Sequence, residues 1–141
     1  MADATANTLR VRLVTPDRIL VDGTADAIDI PTRTGFIEVL VGHAPLLDEL
    51  GSGEVSLHGG TNAGQKYFVS QGFVEVLPER VTILAEIALP PDQIDTVLAK
   101  QDLDRGEEMW KNAGDEAAKY DEANLVIHEA ESELESAAGK V

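Results

Sequence analysis

The chain has 141 residues, a formal net charge of −15, 43% hydrophobic residues and no cysteine. Without cysteine there are no disulfides, no thiolate chemistry and no cysteine-bound zinc or iron–sulfur centre. The negative charge opposes binding to nucleic acid or anionic lipid, whose phosphates repel carboxylates, and no apolar run approaches the ~20 residues of a membrane helix.

The first residues, Met1 to Asn7, carry neither a basic cluster nor an apolar core, so the sequence predicts neither a signal peptide nor a transit peptide. Leu9-Arg10-Val11-Arg12-Leu13-Val14 then alternates apolar and charged residues, the period of a strand with one buried face. Thr15-Pro16-Asp17 reads as a turn, Ile19-Leu20-Val21 as a second strand closed by Asp22-Gly23, and Ala27-Ile28-Asp29-Ile30 as a third closed by Pro31. Further strands are predicted at Phe36–Val41, Val55–His58, Lys66–Ser70, Phe73–Leu77 and Val81–Ala85, with Gly59 to Gly64 as a hairpin connection.

All six prolines and nine of the twelve glycines lie at or before Pro91, and beyond it alanine and charge take over. The chain therefore reads as an all-β sandwich of eight to ten short strands over residues 1–89, followed by an α-helical hairpin over residues 90–141. The first helix is expected from about Asp92 to Lys111, with a stop at Asn112-Ala113-Gly114, and the second from Asp115 or Asp121 to Ala138. On the second, Tyr120, Ala123, Ile127, Ala130, Leu134 and Ala137 recur at 3,4 spacing as a seam. Its small residues, with Gly106 opposite, bury little area, so the hairpin is expected to be marginally stable and readily detached.

Few residues carry chemistry. His43, between turn-formers and followed by Asp48 and Glu49, is the one candidate for a histidine–carboxylate base, but no nucleophile accompanies it. His43, His58 and His128 are too scattered for a metal site, and Gly51-Ser52-Gly53 and Gly59-Gly60 lack the strand–loop–helix context of a phosphate cradle. The residues thus point to no catalytic group, no metal and no cofactor.

The order of four segments carries a resemblance: Gly42-His43-Ala44-Pro45-Leu46-Leu47, Gly51-Ser52-Gly53, Phe68-Val69-Ser70-Gln71-Gly72-Phe73-Val74-Glu75-Val76 and Val81-Thr82-Ile83-Leu84-Ala85-Glu86. Together with Leu13-Val14-Thr15-Pro16-Asp17-Arg18 they resemble the epsilon subunit of the F-type ATP synthase, over essentially the whole chain. The resemblance implies a non-catalytic rotor part whose sandwich clamps the gamma subunit and rests on the c-ring, with the beta subunit of the catalytic head as a further partner of the hairpin. It implies that Gly35, Phe36, Gly42, His43, Ala44, Pro45 and Leu46 belong to the gamma and c-ring interface. It also implies a peripheral location, expected on the cytoplasmic face of a bacterial inner membrane.

Three departures bear on function. In the segment from Thr32 to His43, Phe36 and Glu38 replace residues usually polar and small, and Val41 stands where the family has a proline. Some members bind ATP through an Ile/Leu-Asp-x-x-Arg-Ala motif; here Ile94-Asp95-Thr96-Val97-Leu98-Ala99 keeps Ile94 and Asp95 as candidate nucleotide-binding residues but has Leu98 in place of the phosphate-pairing arginine. The second helix carries Asp121, Glu122, Glu129, Glu131, Glu133 and Glu135, with Lys119 before it and Lys140 after it, where the family's inhibitory contact to beta uses basic residues. Weak inhibition of ATP hydrolysis is therefore expected. A free-standing ATP sensor of the same fold and a small hydrolase built on His43 are the competing readings.

Overall fold

The computed structural model describes residues 8–139; the predictions made for Met1–Asn7 and for Lys140 lie outside the described residues. Eight strands are followed by two helices: β1 Leu9–Val14, β2 Ile19–Ala25, β3 Ala27–Thr32, β4 Gly35–Leu40, β5 Leu46–Glu49, β6 Gly53–His58, β7 Lys66–Leu77, β8 Arg80–Leu89, α1 Thr96–Lys111 and α2 Ala117–Ala137. The chain divides at Pro90–Pro91 into two compact units.

In the first unit the strands run β2-β1-β8-β7-β6-β3-β4, with β5 on β7. All pairs are antiparallel except β1 with β8. The long strands serve both layers. The first half of β7 pairs with β6 and its second half with β5, and the first half of β8 also pairs with β1. The switch falls at Gln71 (φ 61°) and Gly72 (φ 137°), while the register against β8 continues unchanged from Phe68 opposite Leu89 to Leu77 opposite Arg80. A Cβ on Gly72 would collide with the Leu84 carbonyl, and its positive φ favours glycine, so only glycine fits here.

Inward side chains close a dry core. Leu9, Val11 and Leu13 of β1 meet Val21, Ile28, Ile30, Val39, Val55, Leu57, Val74, Val76, Val81 and Ile83, all essentially buried. The alternation of β1 predicts this face correctly, with Arg10 and Arg12 outward.

Several boundaries differ from the sequence reading. Residues 66–77 form one strand where two were predicted, because the pairing with β8 runs past the positive-φ pair Gln71-Gly72 in an unchanged register. β2 continues through Gly23 to Ala25, and β3 through Pro31 to Thr32. Pro31 is tolerated there because β6 pairs with β3 only at residues 27–29, so the missing N–H interrupts no ladder on that side. β5 was not predicted at all.

The second unit begins with a 3-10 turn, Pro91–Gln93, in place of the expected first helical turn. Helix α1 starts only at Thr96, because the Asp95 carboxylate accepts the Leu98 N–H at 3.0 Å and so fixes the N-cap. It stops at Asn112 ahead of Gly114, and α2 stops at Ala138 ahead of Gly139, both glycines in the left-handed region. The helices meet through small residues. Ala99, Gly106, Ala123 and Ala130 are buried, and a Cβ on Gly106 would stand 2.7 Å from Ile127 Cγ1. The predicted seam holds at Ala123 and Ala130, but Ser136 is buried where Ala137 was expected. Lys119 lies inside the first turn of α2, not before it.

Candidate functional site

The outward face of the sandwich carries a feature invisible in any single strand. Register aligns Phe73 of β7 with Leu84 of β8, Leu84 with Val14 of β1, and Val14 with Ile19 of β2. Four adjacent strands thus present one apolar row, about 14 Å across at the usual strand spacing. Ile19 is 55% exposed, Phe73 52% and Leu84 52%, whereas next to them along the strands Val74 and Ile83 are buried and Leu20 packs against the core. Glu49 ends the row beside Phe73, and its carboxylate takes a 2.9 Å ion pair from Arg33. Exposed Leu47 of β5 lies one row away, opposite Glu75. A row of large apolar side chains on a hydrogen-bonded sheet is pre-ordered for a protein partner.

The predicted interface residues fall at opposite ends of β4. Gly35 sits in the tight turn between β3 and β4, closed by a 2.6 Å bond from the Thr32 hydroxyl to its carbonyl. Phe36 pairs with Pro31 and lies over Gly53, yet remains 57% exposed. At the far end Gly42 donates its N–H to the Pro78 carbonyl at 2.7 Å, which ties this loop to the β7–β8 turn. His43 is neither buried nor fully exposed, Ala44 and Pro45 are exposed, and Leu46 packs against the core as the first residue of β5.

The histidine–carboxylate base is not assembled. The His43 ring donates from Nδ1 to the Ala44 carbonyl at 2.7 Å, the Asp48 carboxylate accepts the Glu49 N–H at 2.8 Å, and Glu49 is taken by Arg33. A different pair forms instead, with His58 Nε2 2.8 Å from Asp29 Oδ2 across β6 and β3. The sequence reading missed it because these residues are diagonal neighbours on strands distant in the chain. Among the described residues no group of acids and histidines could hold a metal ion.

In the hairpin, Ile94 is buried and Asp95 is the α1 cap, while Leu98 is 52% exposed. An open cleft of about 400 Å³ lies near the helix connection, lined by Arg105, Glu108, Met109, Asn112, Lys119 and Glu122. Its two cations are both engaged: Arg105 with Asp102 at 3.5 Å, Lys119 with Glu116 at 3.3 Å. With two further carboxylates in the lining, the cleft does not offer the excess positive charge that a phosphate group requires. Among the described residues no helix is long and apolar enough to cross a membrane.

A β-sandwich with a parallel β1–β8 contact, a long β7 shared between β5 and β6, and an appended helical hairpin defines the class of small subunits built as sandwich plus hairpin. Residues 8–91 match the family model for the ATP synthase Delta/Epsilon chain, beta-sandwich domain. The chain is 42% identical over 114 residues to the ATP synthase epsilon chain of Koribacter versatilis, covering 79% of this chain and 78% of that one. It is 37% identical over 130 residues to the epsilon chain of Halalkalibacterium halodurans, covering 92% and 97%. The chain belongs to the epsilon-chain family of F-type ATP synthases. Its fold is also similar to a chain in the Euglena gracilis mitochondrial ATP synthase OSCP/F1/c-ring structure, with a TM-score of 0.76 at 22% identity, over 94% of this chain and 82% of that one.

Proposed function

We propose that the chain is a central-stalk subunit of the rotor, passing the rotation of a proton-driven c-ring to the gamma shaft and performing no catalysis itself. The observation that carries this reading is the apolar row Ile19, Val14, Leu84 and Phe73. Covering its side chains with a partner would contribute about 1–2 kcal/mol each, and the rigid sheet beneath them keeps the ordering cost low. Gamma, the shaft that the family resemblance sets against the sandwich, is the partner we assign to this row. The turn at Gly35-Phe36 and the loop Gly42-His43-Ala44-Pro45-Leu46 flank β4 and serve as contacts to gamma and the c-ring.

The subunit is peripheral, held to the cytoplasmic face of a bacterial inner membrane through its protein partners. The hairpin inhibits ATP hydrolysis only weakly. Fourteen of the chain's twenty-six Asp and Glu residues lie from Pro91 onward, against five of its eleven Lys and Arg. Such a segment gains no electrostatic attraction from an acidic stretch of beta.

The test is affinity purification from gently extracted membranes of the native host, using a C-terminal tag on the unaltered chain and on a Phe73→Asp, Leu84→Asp variant. The unaltered chain is expected to bring down alpha, beta, gamma and c subunits at a fixed ratio. The variant, which changes only outward positions, should fold and lose them. Recovery of the unaltered chain alone, while the synthase stays intact, overturns the rotor reading; full recovery with the variant overturns the assignment of the row.

A further inference from the structure

The first unit holds six Lys and Arg residues, and their placement is uneven. Arg33 is paired with Glu49 at 2.9 Å, and Lys66 stands 3.8 Å from Glu54. Among the described residues the other four, Arg10, Arg12, Arg18 and Arg80, form no ion pair. All four are exposed, and all four lie about the apolar row. Arg18 leads into Ile19, while Arg10, Arg12 and Arg80 belong to β1 and β8, the two strands at the middle of that row.

Register fixes their arrangement. Arg12 is two residues from Val14 on the outward side of β1, about 7 Å from the row along the strand, and Arg10 follows at about 13 Å. Arg80 is the register partner of Arg10 on the parallel strand β8, so two guanidinium groups leave backbones about 5 Å apart on one face. Like charges side by side on neighbouring strands repel each other. The carboxylates that register brings near do not offset this. Asp22 stands opposite Arg12 on β2 and Glu75 lies beyond Thr82 on β7, yet among the described residues neither is paired with an arginine. In a chain with 26 Asp and Glu against 11 Lys and Arg, this face keeps its cations free of acid.

We propose that the partner surface covering the apolar row carries carboxylates bound by Arg10, Arg12 and Arg80, so that the row supplies burial and the arginines select an acidic flank. The inference rests on the assignment of gamma to this row and specifies the chemistry of that contact. A helix about 10 Å across, laid along Ile19, Val14, Leu84 and Phe73, brings its flank over Arg12, and the long side chains of Arg10 and Arg80 reach back toward Asp or Glu on that flank. Arginine suits the task because its planar guanidinium grips a carboxylate through two N–H bonds. A protein is favoured over lipid phosphate because the cations adjoin a row of large apolar side chains on a pre-ordered sheet, and because a net charge of −15 is repelled by an anionic membrane.

The test is the rate at which the purified full chain associates with the alpha, beta and gamma assembly of its native host, stripped of this subunit, across a range of salt concentrations. The unaltered chain should bind fast at low salt and slow steeply as salt screens the arginines. Arg10→Gln with Arg80→Gln should lower the association rate at low salt about tenfold and flatten the salt dependence. Arg10→Lys with Arg80→Lys retains the charge and should keep most of that dependence. Lys100→Gln with Lys111→Gln makes the same change of net charge at exposed positions of α1 and should alter neither quantity. A glutamine pair that matches the unaltered chain, or an equal fall in the α1 control, overturns the proposal and leaves the rotor reading standing; no binding by the unaltered chain overturns both. Phosphatidylglycerol vesicles that capture the unaltered chain but not the glutamine pair would assign the cluster to lipid and likewise overturn it. Should the glutamine pair fail to fold, Arg12→Gln carries the same test with a smaller fall, and an unchanged salt dependence in that variant overturns the proposal.

Discussion

The two units of this chain are stabilised by different means. The sandwich buries whole Leu, Ile and Val side chains from both layers, each contributing about 1.5–3 kcal/mol. The hairpin closes over Ala99, Gly106, Ala123 and Ala130, which bring backbones close but remove little apolar surface from water. Its larger apolar residues Val97, Leu98 and Leu125 point outward instead. A rigid platform and a loosely clasped appendage are thus encoded in side-chain volume. Function that needs a fixed geometry belongs to the first, and function that needs two states belongs to the second.

Deleting a large side chain from the sandwich is expected to have the largest effect. Ile83 is fully buried on β8 between β1 and β7. Ile83→Ala should lower the stability of the sandwich by about 3–4 kcal/mol, the transfer loss plus a cavity that a sheet hydrogen-bonded on both sides cannot close. Chemical denaturation followed by methyl NMR of the sandwich valines checks it. A loss below 1 kcal/mol would mean that the layers relax, and would erase the contrast with the hairpin.

A smaller effect is expected from adding volume to the hairpin. Gly106 faces Ile127 too closely for a side chain, and the nearest atom is on a flexible side chain while the Ile127 N–H lies only 3.1 Å from the added Cβ. Gly106→Val should open the seam at a cost of about 2 kcal/mol, overpacking outweighing the gain in helix propensity. The unfolding transition followed by the fluorescence of Trp110, the only tryptophan, which stands edge-on to Tyr120 across the hairpin, should move to lower urea. A rise in its midpoint would show that the helices can separate slightly without loss, and that the seam is not close-packed.

How much of this was legible in the sequence depends on the range of the interaction. The alternation in β1 and the stop signals at Gly114 and Gly139 are local and could be read directly. Strand β5 could not, since Leu46-Leu47-Asp48-Glu49 shows no alternation and follows a proline. The apolar row could not either: it needs β1 to lie parallel to β8, a register that no local pattern contains. The interface residues taken from the family resemblance cluster around β4, whereas this row runs over β7, β8, β1 and β2. The setting of Glu133 on α2, where burial and then Glu129, Asp102 and Asp95 push its carboxyl up to about 7, was hidden for a related reason. On an isolated helix it falls between the seam residues Ala130 and Leu134 and reads as one more solvated acid. Only the approach of α1 brings Asp95 and Asp102 to bear on it.

The smallest effect expected is at the start of α1, where the family resemblance offered a nucleotide ligand and the structure has a cap. The Asp95 carboxylate satisfies the Leu98 N–H, one of the four donors that the helix start leaves open. Asp95→Ala should therefore weaken the hairpin by about 1 kcal/mol through loss of the cap. The same change removes one of the charges that repel Glu133, and this acts in the opposite sense once Glu133 is ionised. The net loss seen at Trp110 should accordingly be larger at pH 5 than at pH 8, where relief of repulsion offsets part of the missing cap. Asp95→Asn separates the two terms, because asparagine caps nearly as well and carries no charge. It should match the unaltered chain at pH 5 and exceed it at pH 8. Equal behaviour of the alanine and asparagine variants at both pH values would mean that Asp95 acts on the hairpin through charge alone, and the cap would then contribute nothing measurable to the difference between the two units.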